Sequence, residues 1–268
     1  MTETLRTALL DADVITFQSA AMAQRSFDDD VWADLNKARV YADEQIQKEM
    51  EQAGCNAVIL VYSPKNSTNW RKLVMPAYKL HRKATPKPVC YGELRNALES
   101  KYKHVSIDWL EGDDLFHMLY KKIPNSVVVS IDKDMYTLPC IDYLRPHTMR
   151  DPEYQSKSEA DYFWLTQVLM GDTCDGYKGL KRCGPVGSEV VLKPYWSGSY
   201  FDFDRAWEAV KDAYRAKGQT NWLEQAQMAR ILRDGDYCSK TKRVRLFNPD
   251  KEEWLELPDA PTKQGELR

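Results

Sequence analysis

Short apolar runs alternate with longer segments of helical spacing along the first half of the chain. Aliphatic and β-branched runs predict strands, and apolar positions three and four residues apart predict helices. The predicted strands are 7–10, 57–62, 105–107, 127–131 and 143–144. The predicted helices are 28–53, 91–102, 113–123, 159–170, 204–217 and 221–233. Strands that alternate with helices indicate an α/β fold with a mainly parallel central sheet flanked by helices.

The end of the chain departs from this alternation. The sequence VRLFNPDKEEWLEL predicts a strand hairpin that turns near residues 248–250, and residues after Pro258 are expected to be frayed. A chain of 268 residues with 43% hydrophobic residues is long enough for one compact domain and an appendage.

Carboxylates fall into four short clusters, each of which follows a predicted strand or begins a helix. The clusters are Asp11 and Asp13; Glu111, Asp113 and Asp114; Asp132 and Asp134; and Asp172 and Asp175. The carboxyl ends of parallel strands meet at one edge of a sheet, so acids from separate strands are expected to gather there. Like charges repel and burial penalises them, so such a group is usually neutralised by cations.

Oxygen ligands without a His or Cys set suit Mg²⁺ or Mn²⁺. The acidic clusters therefore indicate phosphoryl-transfer chemistry, with two-metal phosphodiester hydrolysis as the expected mechanism. Each cluster taken alone also fits a structural explanation, namely a solvated strand end or acids that complement a helix dipole. The four histidines show no metal-ligand spacing, and no P-loop, GxSxG or GxGxxG motif occurs.

Segment 63–90 is basic and has aromatic residues between its cations. Its notable residues are Trp70, Arg71, Lys72, Tyr78, Lys79, Arg82, Lys83 and Lys87. Cations bind phosphates and aromatic faces stack on unpaired bases, so the segment indicates nucleic-acid contact. Lys79 and Arg82 are three residues apart, and a helix would present both on one side. An ordinary solvated loop is the alternative.

The sequence KRCGPVGS contains a second candidate for phosphate contact. Lys181, Arg182, Gly184 and Gly187 precede or begin a predicted helix, and glycine-rich turns at such places expose backbone N–H groups to phosphate. Helix-hairpin-helix modules hold a DNA backbone in this way, although a plain turn between helices has the same composition.

Composition excludes several other classes. The six cysteines include no CxxC pair, which argues against a zinc ribbon and favours unpaired thiols in a reducing cytoplasm. No apolar stretch of about 18 residues occurs, so no membrane segment is predicted. The net charge of −2 says little about partners, because acids and bases are clustered separately.

Six motifs in order resemble the 5′ nuclease superfamily of flap endonucleases and phage 5′→3′ exonucleases, most closely the exonucleases of short-tailed coliphages. They are LLDADVITFQSA, NWRKLVMPAYKLHRKATPKP, LEGDD, SIDKD, GDTCDGYKG and QAQMARILR. The resemblance implies a PIN-like catalytic core over residues 1–165, with a basic arch or gateway at 63–90. It also implies a helical DNA-binding region of helix-hairpin-helix type over 166–268 that ends in the hairpin.

The activity implied is metal-dependent hydrolysis from 5′ ends of duplex DNA, flaps or single-stranded 5′ tails, with RNA–DNA hybrids as a further candidate substrate. The implied role is phage DNA replication, recombination or host DNA degradation, carried out by a monomer in the host cytoplasm. Two or more Mg²⁺ or Mn²⁺ ions are implied, and a potassium ion is a candidate at the glycine hairpin.

The resemblance also assigns residues. The metal-site acids are Asp11, Glu111, Asp113, Asp114, Asp132, Asp134, Asp172 and Asp175. Lys79 and Arg82 match the basic residues that contact the scissile phosphate, and Tyr78 matches an aromatic that stacks on the terminal base. The other DNA-binding candidates are Trp70, Arg71, Lys72, Lys83, Lys181, Arg182, Gly184 and Gly187.

This sequence departs from the family pattern at two positions. Asn66 stands where an acid is usual, and Arg182 replaces the first glycine of the hairpin. Two other functions stay open. A phosphatase of the haloacid-dehalogenase type would use Asp11 as its nucleophile and form a covalent aspartyl-phosphate. A nucleic-acid-binding module without catalysis would bind DNA and hydrolyse nothing.

Overall fold

The structure is a computed structural model, and it describes residues 5–27, 30–65, 69–81, 86–250 and 253–257. Three residues singled out from the sequence, Asn66, Arg82 and Lys83, lie outside the described residues, as does the expected frayed end after Pro258.

The elements of the first half follow in chain order. They are β1 (Thr7–Asp11), α1 (Ala12–Ala23), β2 (Gln24–Phe27), β3 (Asp30–Ala33), α2 (Leu35–Gln52), β4 (Ala57–Val61), α3 (Arg71–Val74), α4 (Tyr91–Lys101), β5 (His104–Val105), α5 (Asp113–Lys122), β6 (Ser126–Val129), β7 (Ile141–Leu144) and β8 (Glu153–Gln155). A short 3₁₀ helix spans Lys133–Thr137.

The second half is mainly helical. Its elements are α6 (Lys157–Met170), α7 (Pro185–Leu192), β9 (Trp196–Ser197), β10 (Tyr200–Phe201), α8 (Phe203–Ala216), α9 (Trp222–Ala229), β11 (Tyr237–Cys238), β12 (Arg243–Asn248) and β13 (Glu253–Glu256). The predicted hairpin near residues 248–250 is confirmed, because β12 and β13 pair antiparallel around it.

The central sheet has six strands in the order β5-β4-β1-β6-β7-β8. All neighbours pair parallel except β7 and β8, which pair antiparallel. Strand β1 lies between β4 and β6, and its five residues are all buried, as a central parallel strand requires. The predicted α/β fold with a mainly parallel sheet is confirmed.

The predicted helix at 28–53 is correct only from Leu35 onward. Residues 24–33 instead form the β2–β3 hairpin, and Asp34 begins α2 by accepting a hydrogen bond from the Lys37 N–H at 3.1 Å. Val31, predicted on the inner side of the helix, is an exposed strand residue. The inner side of α2 is otherwise as predicted, with Ala38, Ala42 and Ile46 buried. Spacing alone did not detect the hairpin, because Val31 and Leu35 also fit a helical period.

The chain divides into two compact units. Unit 1 comprises Met1–Lys65, Arg82–Met135 and Cys140–Gln155, and unit 2 comprises Asn66–His81, Tyr136–Pro139 and Ser156–Arg268. Packing therefore divides the chain near residue 155 and assigns Asn66–His81 to unit 2, unlike the predicted division at residue 165. The functional meaning of that division, a catalytic core and a DNA-binding region, stays a prediction.

Unit 1 has its core around the sheet, where α1, α2 and α4 share one cluster of buried side chains with strands β1, β4 and β6. Unit 2 has its core around α6, whose Trp164 is stacked on Phe203 and lies beneath the guanidinium of Arg230. The nearby Arg233 pairs with Asp161 at 2.6 Å. Within the described ranges, none of the helices combines the length and apolarity needed to cross a membrane.

Candidate functional site

Asp11 is the last residue of β1 and the residue that begins α1. One carboxylate oxygen accepts a hydrogen bond from the Val14 N–H at 3.4 Å, and the other accepts one from the Ser130 hydroxyl at 2.8 Å. The carboxylate is buried, with only 9% of the residue exposed. A central strand that stops at an acid thus places a poorly solvated carboxylate at the carboxyl edge of the sheet.

Ser130 connects Asp11 to a second acidic cluster. Its hydroxyl oxygen also accepts the N–H of Asp132 at 3.0 Å, and Asp132 in turn accepts the N–H of Asp134 at 2.9 Å. The hydroxyl oxygen of Tyr143 lies 2.9 Å from the carbonyl oxygens of both Ser130 and Asp132, which share its one hydrogen. The turn after β6 is therefore held rigidly beside the end of β1, as the parallel pairing of these strands predicts.

The electrostatics of Asp11 show how these acids influence one another. The pKa of Asp11 is raised to about 7, mainly by burial. The hydrogen bond from Ser130 opposes this rise, whereas the charges of Asp13 and Asp132 add to it. A carboxyl group in this position tends to keep its proton near neutral pH unless a positive charge lies beside it.

The cluster at Glu111, Asp113 and Asp114 begins α5. Asp114 is fully buried, and its carboxylate accepts the N–H of Glu111 at 3.2 Å. The Gly112 N–H donates to the Ser63 hydroxyl at 3.0 Å, so the start of α5 lies against the end of β4. Two of these acids, Asp113 and Asp114, lie in the first turn of α5 and complement the positive end of the helix dipole.

These residues suit a divalent cation by donor type, because every candidate ligand is a carboxylate oxygen and Asp11 gains from a nearby positive charge. Across the described residues, however, no three His, Cys, Asp or Glu side chains lie close enough together to hold a metal ion. The acids of unit 1 therefore form a polar network around Asp11 and the start of α5, and not an assembled ligand cage.

In unit 2 the acids lie in the loop between α6 and α7. Asp172 accepts the N–H groups of Cys174 at 2.7 Å and Asp175 at 3.2 Å, and its backbone pairs with Tyr177. Gly179 adopts φ +62° and donates its N–H to the Gln225 side chain at 2.7 Å. The loop is thus fixed by its own backbone and by α9.

Tyr78 and Lys79 lie against this loop within the same unit. The Tyr78 hydroxyl donates to Asp175 at 2.9 Å, and the Lys79 ammonium lies 3.5 Å from the other oxygen of Asp175. Lys79 has φ +51° and lies in a turn, so it is not part of a helix that would present it on one side with Arg82. Tyr78 is only 1% exposed, which contradicts its predicted role of stacking on a base.

Two further predicted DNA contacts are corrected in the same way. Trp70 is completely buried, and the Arg71 guanidinium lies 4.4 Å from its ring centre. Arg71 is 3% exposed and donates to the Arg230 carbonyl at 3.0 Å. Both side chains belong to the core of unit 2, because an apolar ring and a satisfied guanidinium are stable there. Lys72 is exposed, as expected of a phosphate contact.

The glycine hairpin before α7 keeps its cations on the surface. Lys181 and Arg182 are exposed, and Arg182 has φ +59°, a left-handed conformation that glycine adopts without strain. Gly184 is the residue that begins α7, Pro185 occupies its first position, and Gly187 lies in its first turn. The arginine that replaces the family's glycine therefore adopts the backbone conformation that favours glycine.

Sequence reasoning missed the residues that hold the acids. Ser130, Ser63 and Gln225 each bind a backbone N–H or a carboxylate of an acidic segment. The two serines could have been found, because each follows directly after a buried strand run. Gln225 is far from the loop in sequence, and no local pattern indicated that it binds the loop.

Comparison with known proteins decides the family. No protein-family model matches the chain. The exodeoxyribonuclease of Enterobacteria phage T3 is 30% identical over 279 aligned residues, which cover 90% of this chain and 92% of the relative. The chain belongs to the 5′ nuclease superfamily. The exonuclease of Escherichia phage T7 is 29% identical, with coverage of 90% and 93%.

The alignments with flap endonucleases cover less of this chain. The flap endonuclease Xni of Vibrio atlanticus (strain LGP32) is 29% identical over 61% of this chain and 67% of its own. Among solved structures, the zinc-bound 5′-exonuclease of T5 has a TM-score of 0.58 at 15% identity, covering 84% of this chain and 89% of that chain. This likeness shows the shared 5′ nuclease fold.

Proposed function

We propose that this chain hydrolyses phosphodiester bonds from the 5′ ends of duplex DNA as a divalent-metal-dependent 5′→3′ exonuclease and flap endonuclease. The chain is an enzyme of the 5′ nuclease class, as its relatives named exodeoxyribonuclease and flap endonuclease indicate. The observation that supports the chemistry best is the buried carboxylate of Asp11, joined through Ser130 to Asp132 at the end of the adjacent strand. A module that only binds phosphate would gain nothing from a carboxylate whose charged form is disfavoured by burial.

The residues that would hold Mg²⁺ or Mn²⁺ are the acids of the four clusters. In unit 1 they are Asp11, Glu111, Asp113, Asp114, Asp132 and Asp134, and in unit 2 they are Asp172 and Asp175. When bound, such ions supply an activated water and stabilise the leaving oxygen. A structure of the T5 protein crystallised with metal ions has the same fold, at TM-score 0.54 and 15% identity.

Lys79 is the proposed catalytic cation of this chain. Its ammonium is held near Asp175 and would offset the charge that develops on the phosphate in the transition state. Asp175 and Tyr78 limit the positions that the Lys79 side chain can take, which lowers the entropy cost of placing the charge. Arg82 is proposed for the same role from its sequence position alone.

DNA is the proposed partner, held through its phosphates. Lys72, Lys181 and Arg182 are exposed cations of unit 2, and the turn before α7 supplies backbone N–H groups for a helix-hairpin-helix type of contact, with potassium as a candidate ion. A T5 flap endonuclease of the same fold has been crystallised with DNA and metal ions. All the proposed acidic and basic clusters belong to one chain, so the proposed activity needs only a monomer.

The test is incubation with 5′-labelled and 3′-labelled duplexes, in Mg²⁺ and in EDTA, followed by sizing of the products. A 5′→3′ exonuclease releases short labelled products from the 5′-labelled duplex and progressively shortens the 3′-labelled strand, only with Mg²⁺. A phosphatase would remove the terminal phosphate without shortening either strand and would label Asp11 covalently. Binding without any cleavage would leave only the binding module.

A further inference from the structure

Asp13, two residues after Asp11, has both carboxylate oxygens occupied by hydrogen-bond donors of unit 1. One oxygen accepts the backbone N–H of Ser63 at 2.7 Å, and the other accepts the hydroxyl of Tyr91 at 3.0 Å. The buried guanidinium of Arg95 lies 3.8 Å from the second oxygen. Asp13 therefore joins α1 to the end of β4 and to α4.

Ser63 extends this connection to the acidic segment 111–114. Its N–H binds Asp13, and its hydroxyl oxygen accepts the N–H of Gly112 at 3.0 Å. The approach is close, since a Cβ on Gly112 would lie 3.2 Å from the Ser63 nitrogen and 3.3 Å from the Tyr62 carbonyl carbon. Gly112 lies between Glu111 and Asp113, so its position determines where the backbone places these two acidic residues.

The charges around Asp13 support a structural task for it. Arg95 lies 4.3 Å from the ring centre of Tyr62 and also pairs with Glu99 at 2.8 Å. Burial and the carboxylate of Asp13 raise the pKa of Tyr91, so its hydroxyl remains a donor to Asp13. The negative charge of Asp13 is thus balanced by groups of the protein, whereas within the described part of the chain Asp11 is contacted by a hydroxyl and a backbone N–H and by no such cation.

We propose that Ser63 is a positioning residue that holds the segment 111–114 in place for cation binding, with Asp13 anchoring Ser63 through its backbone N–H. The inference rests on the proposed metal-dependent function. The bracket is defined as Asp13, Ser63 and Gly112. It is built only from contacts within unit 1, and each of its hydrogen bonds is 3.0 Å or shorter.

The experiment compares four variants of the full chain: Ser63→Ala, which removes the hydroxyl; Ser63→Thr, which keeps it; Gly112→Ala, which adds the obstructing Cβ; and Ser100→Ala as control. Ser100 donates to the Asn96 carbonyl on the exposed side of α4, outside the bracket. Mn²⁺ binding is measured by titration calorimetry without DNA, and the Mg²⁺ concentration for half-maximal cleavage of a 5′-labelled duplex is measured in parallel. Urea unfolding verifies that each variant is folded.

We expect Ser63→Ala to weaken Mn²⁺ binding about fivefold and to raise the half-maximal Mg²⁺ concentration equally, as the loss of one hydrogen bond implies. Gly112→Ala should have a larger effect, Ser63→Thr should restore wild-type values, and Ser100→Ala should change nothing. In a further variant that combines Ser63→Ala with Gly112→Ala, the two losses should not add, because both substitutions act on the same contact.

Folded Ser63→Ala and Gly112→Ala variants with wild-type Mn²⁺ binding and Mg²⁺ dependence would overturn the bracket. A lower cleavage rate at saturating Mg²⁺ with unchanged metal dependence would overturn it as well. Either result would leave the proposed function intact, provided that the wild-type chain cleaves DNA with Mg²⁺ and not in EDTA. Absence of any cleavage by the wild type would refute the proposed function itself.

Discussion

At the residue scale, the surroundings of each acid separate those suited to bind a cation from those that stabilise the fold. Asp11 is buried with a raised pKa, and its carboxylate accepts hydrogen bonds from one hydroxyl and one backbone N–H. Asp13, only two residues away, is balanced by Arg95 and Tyr91. Two acids of one DxD motif thus have different roles, because burial and neighbouring charge differ even where spacing does not.

Asp132→Asn should lower the cleavage rate by about 100-fold or more, since even residues that only support metal ligands cost 10–100-fold when changed. The amide retains the oxygen that accepts the Asp134 N–H, so the turn should stay folded. Rates are measured on a 5′-labelled duplex, and DNA affinity by fluorescence anisotropy in EDTA should stay near wild type. Asp142→Asn, which changes the acid that accepts the Tyr120 hydroxyl, is the control. A wild-type rate for Asp132→Asn would exclude Asp132 from the metal site.

Lys79→Met should lower the rate constant at saturating DNA on the order of 100-fold, because it removes a cation from the reaction without shortening the side chain. Lysine and methionine have the same steric cost in the left-handed backbone conformation at φ +51°, so the free energy of unfolding in urea should change little. Lys101→Met removes an equally charged side chain that pairs with Asp43 on the surface of unit 1. Equal rates for the two variants would show that Lys79 stabilises the loop and has no role in catalysis.

At the element scale, the ends of strands and the loop between α6 and α7 decide where the acids lie. The loop contains three glycines with positive φ, and the backbones of two of them, Gly171 and Gly179, are in direct contact. A Cβ on Gly179 would lie 2.6 Å from the Leu169 carbonyl oxygen. The position of Asp172 and Asp175 therefore depends on the close contact of these glycines.

Gly179→Ala should reduce the free energy of unfolding by about 3 kcal/mol, the sum of backbone strain and a clash with backbone atoms that have little freedom to move. Urea unfolding measures the change. Gly92→Ala is the matched control, because it lies in α4 with nothing within 4 Å of its added Cβ. The control should be neutral or stabilising by up to about 1 kcal/mol. Equal stabilities for both variants would contradict the close contact of Gly171 and Gly179.

At the scale of the whole molecule, the net charge of −2 is a sum over acidic and basic side chains that lie in different parts of the chain. The acids surround strand ends and helix starts, whereas Lys72, Lys181 and Arg182 are exposed cations of unit 2. A nearly neutral chain binds DNA only through such local patches. Affinity should therefore depend on few phosphate contacts, each with a measurable salt dependence.

DNA affinity should fall as salt concentration rises. Arg182→Asn should reduce the magnitude of the slope of log affinity against log salt by about 1, the contribution of one phosphate contact. Asn tolerates the left-handed conformation at φ +59°, so the variant removes charge without adding strain. Fluorescence anisotropy at several salt concentrations measures the slope. Arg150→Asn removes an arginine whose side chain is 96% exposed in unit 1 and should leave the slope unchanged. A flat salt response in the wild type would contradict phosphate binding.

Apolar periodicity and acids at strand ends are local features of the chain, so the sequence predicts the α/β fold, many of its strands and helices, and the acidic clusters. It did not reveal the β2–β3 hairpin, since Val31 and Leu35 fit a helical period as well. Burial of Trp70, Arg71 and Tyr78, and the contacts of Asp13 with Ser63 and Arg95, were decided only by tertiary structure. Such contacts join residues far apart in the chain, and the energy of burying a charge or a ring depends on neighbours that no local pattern specifies.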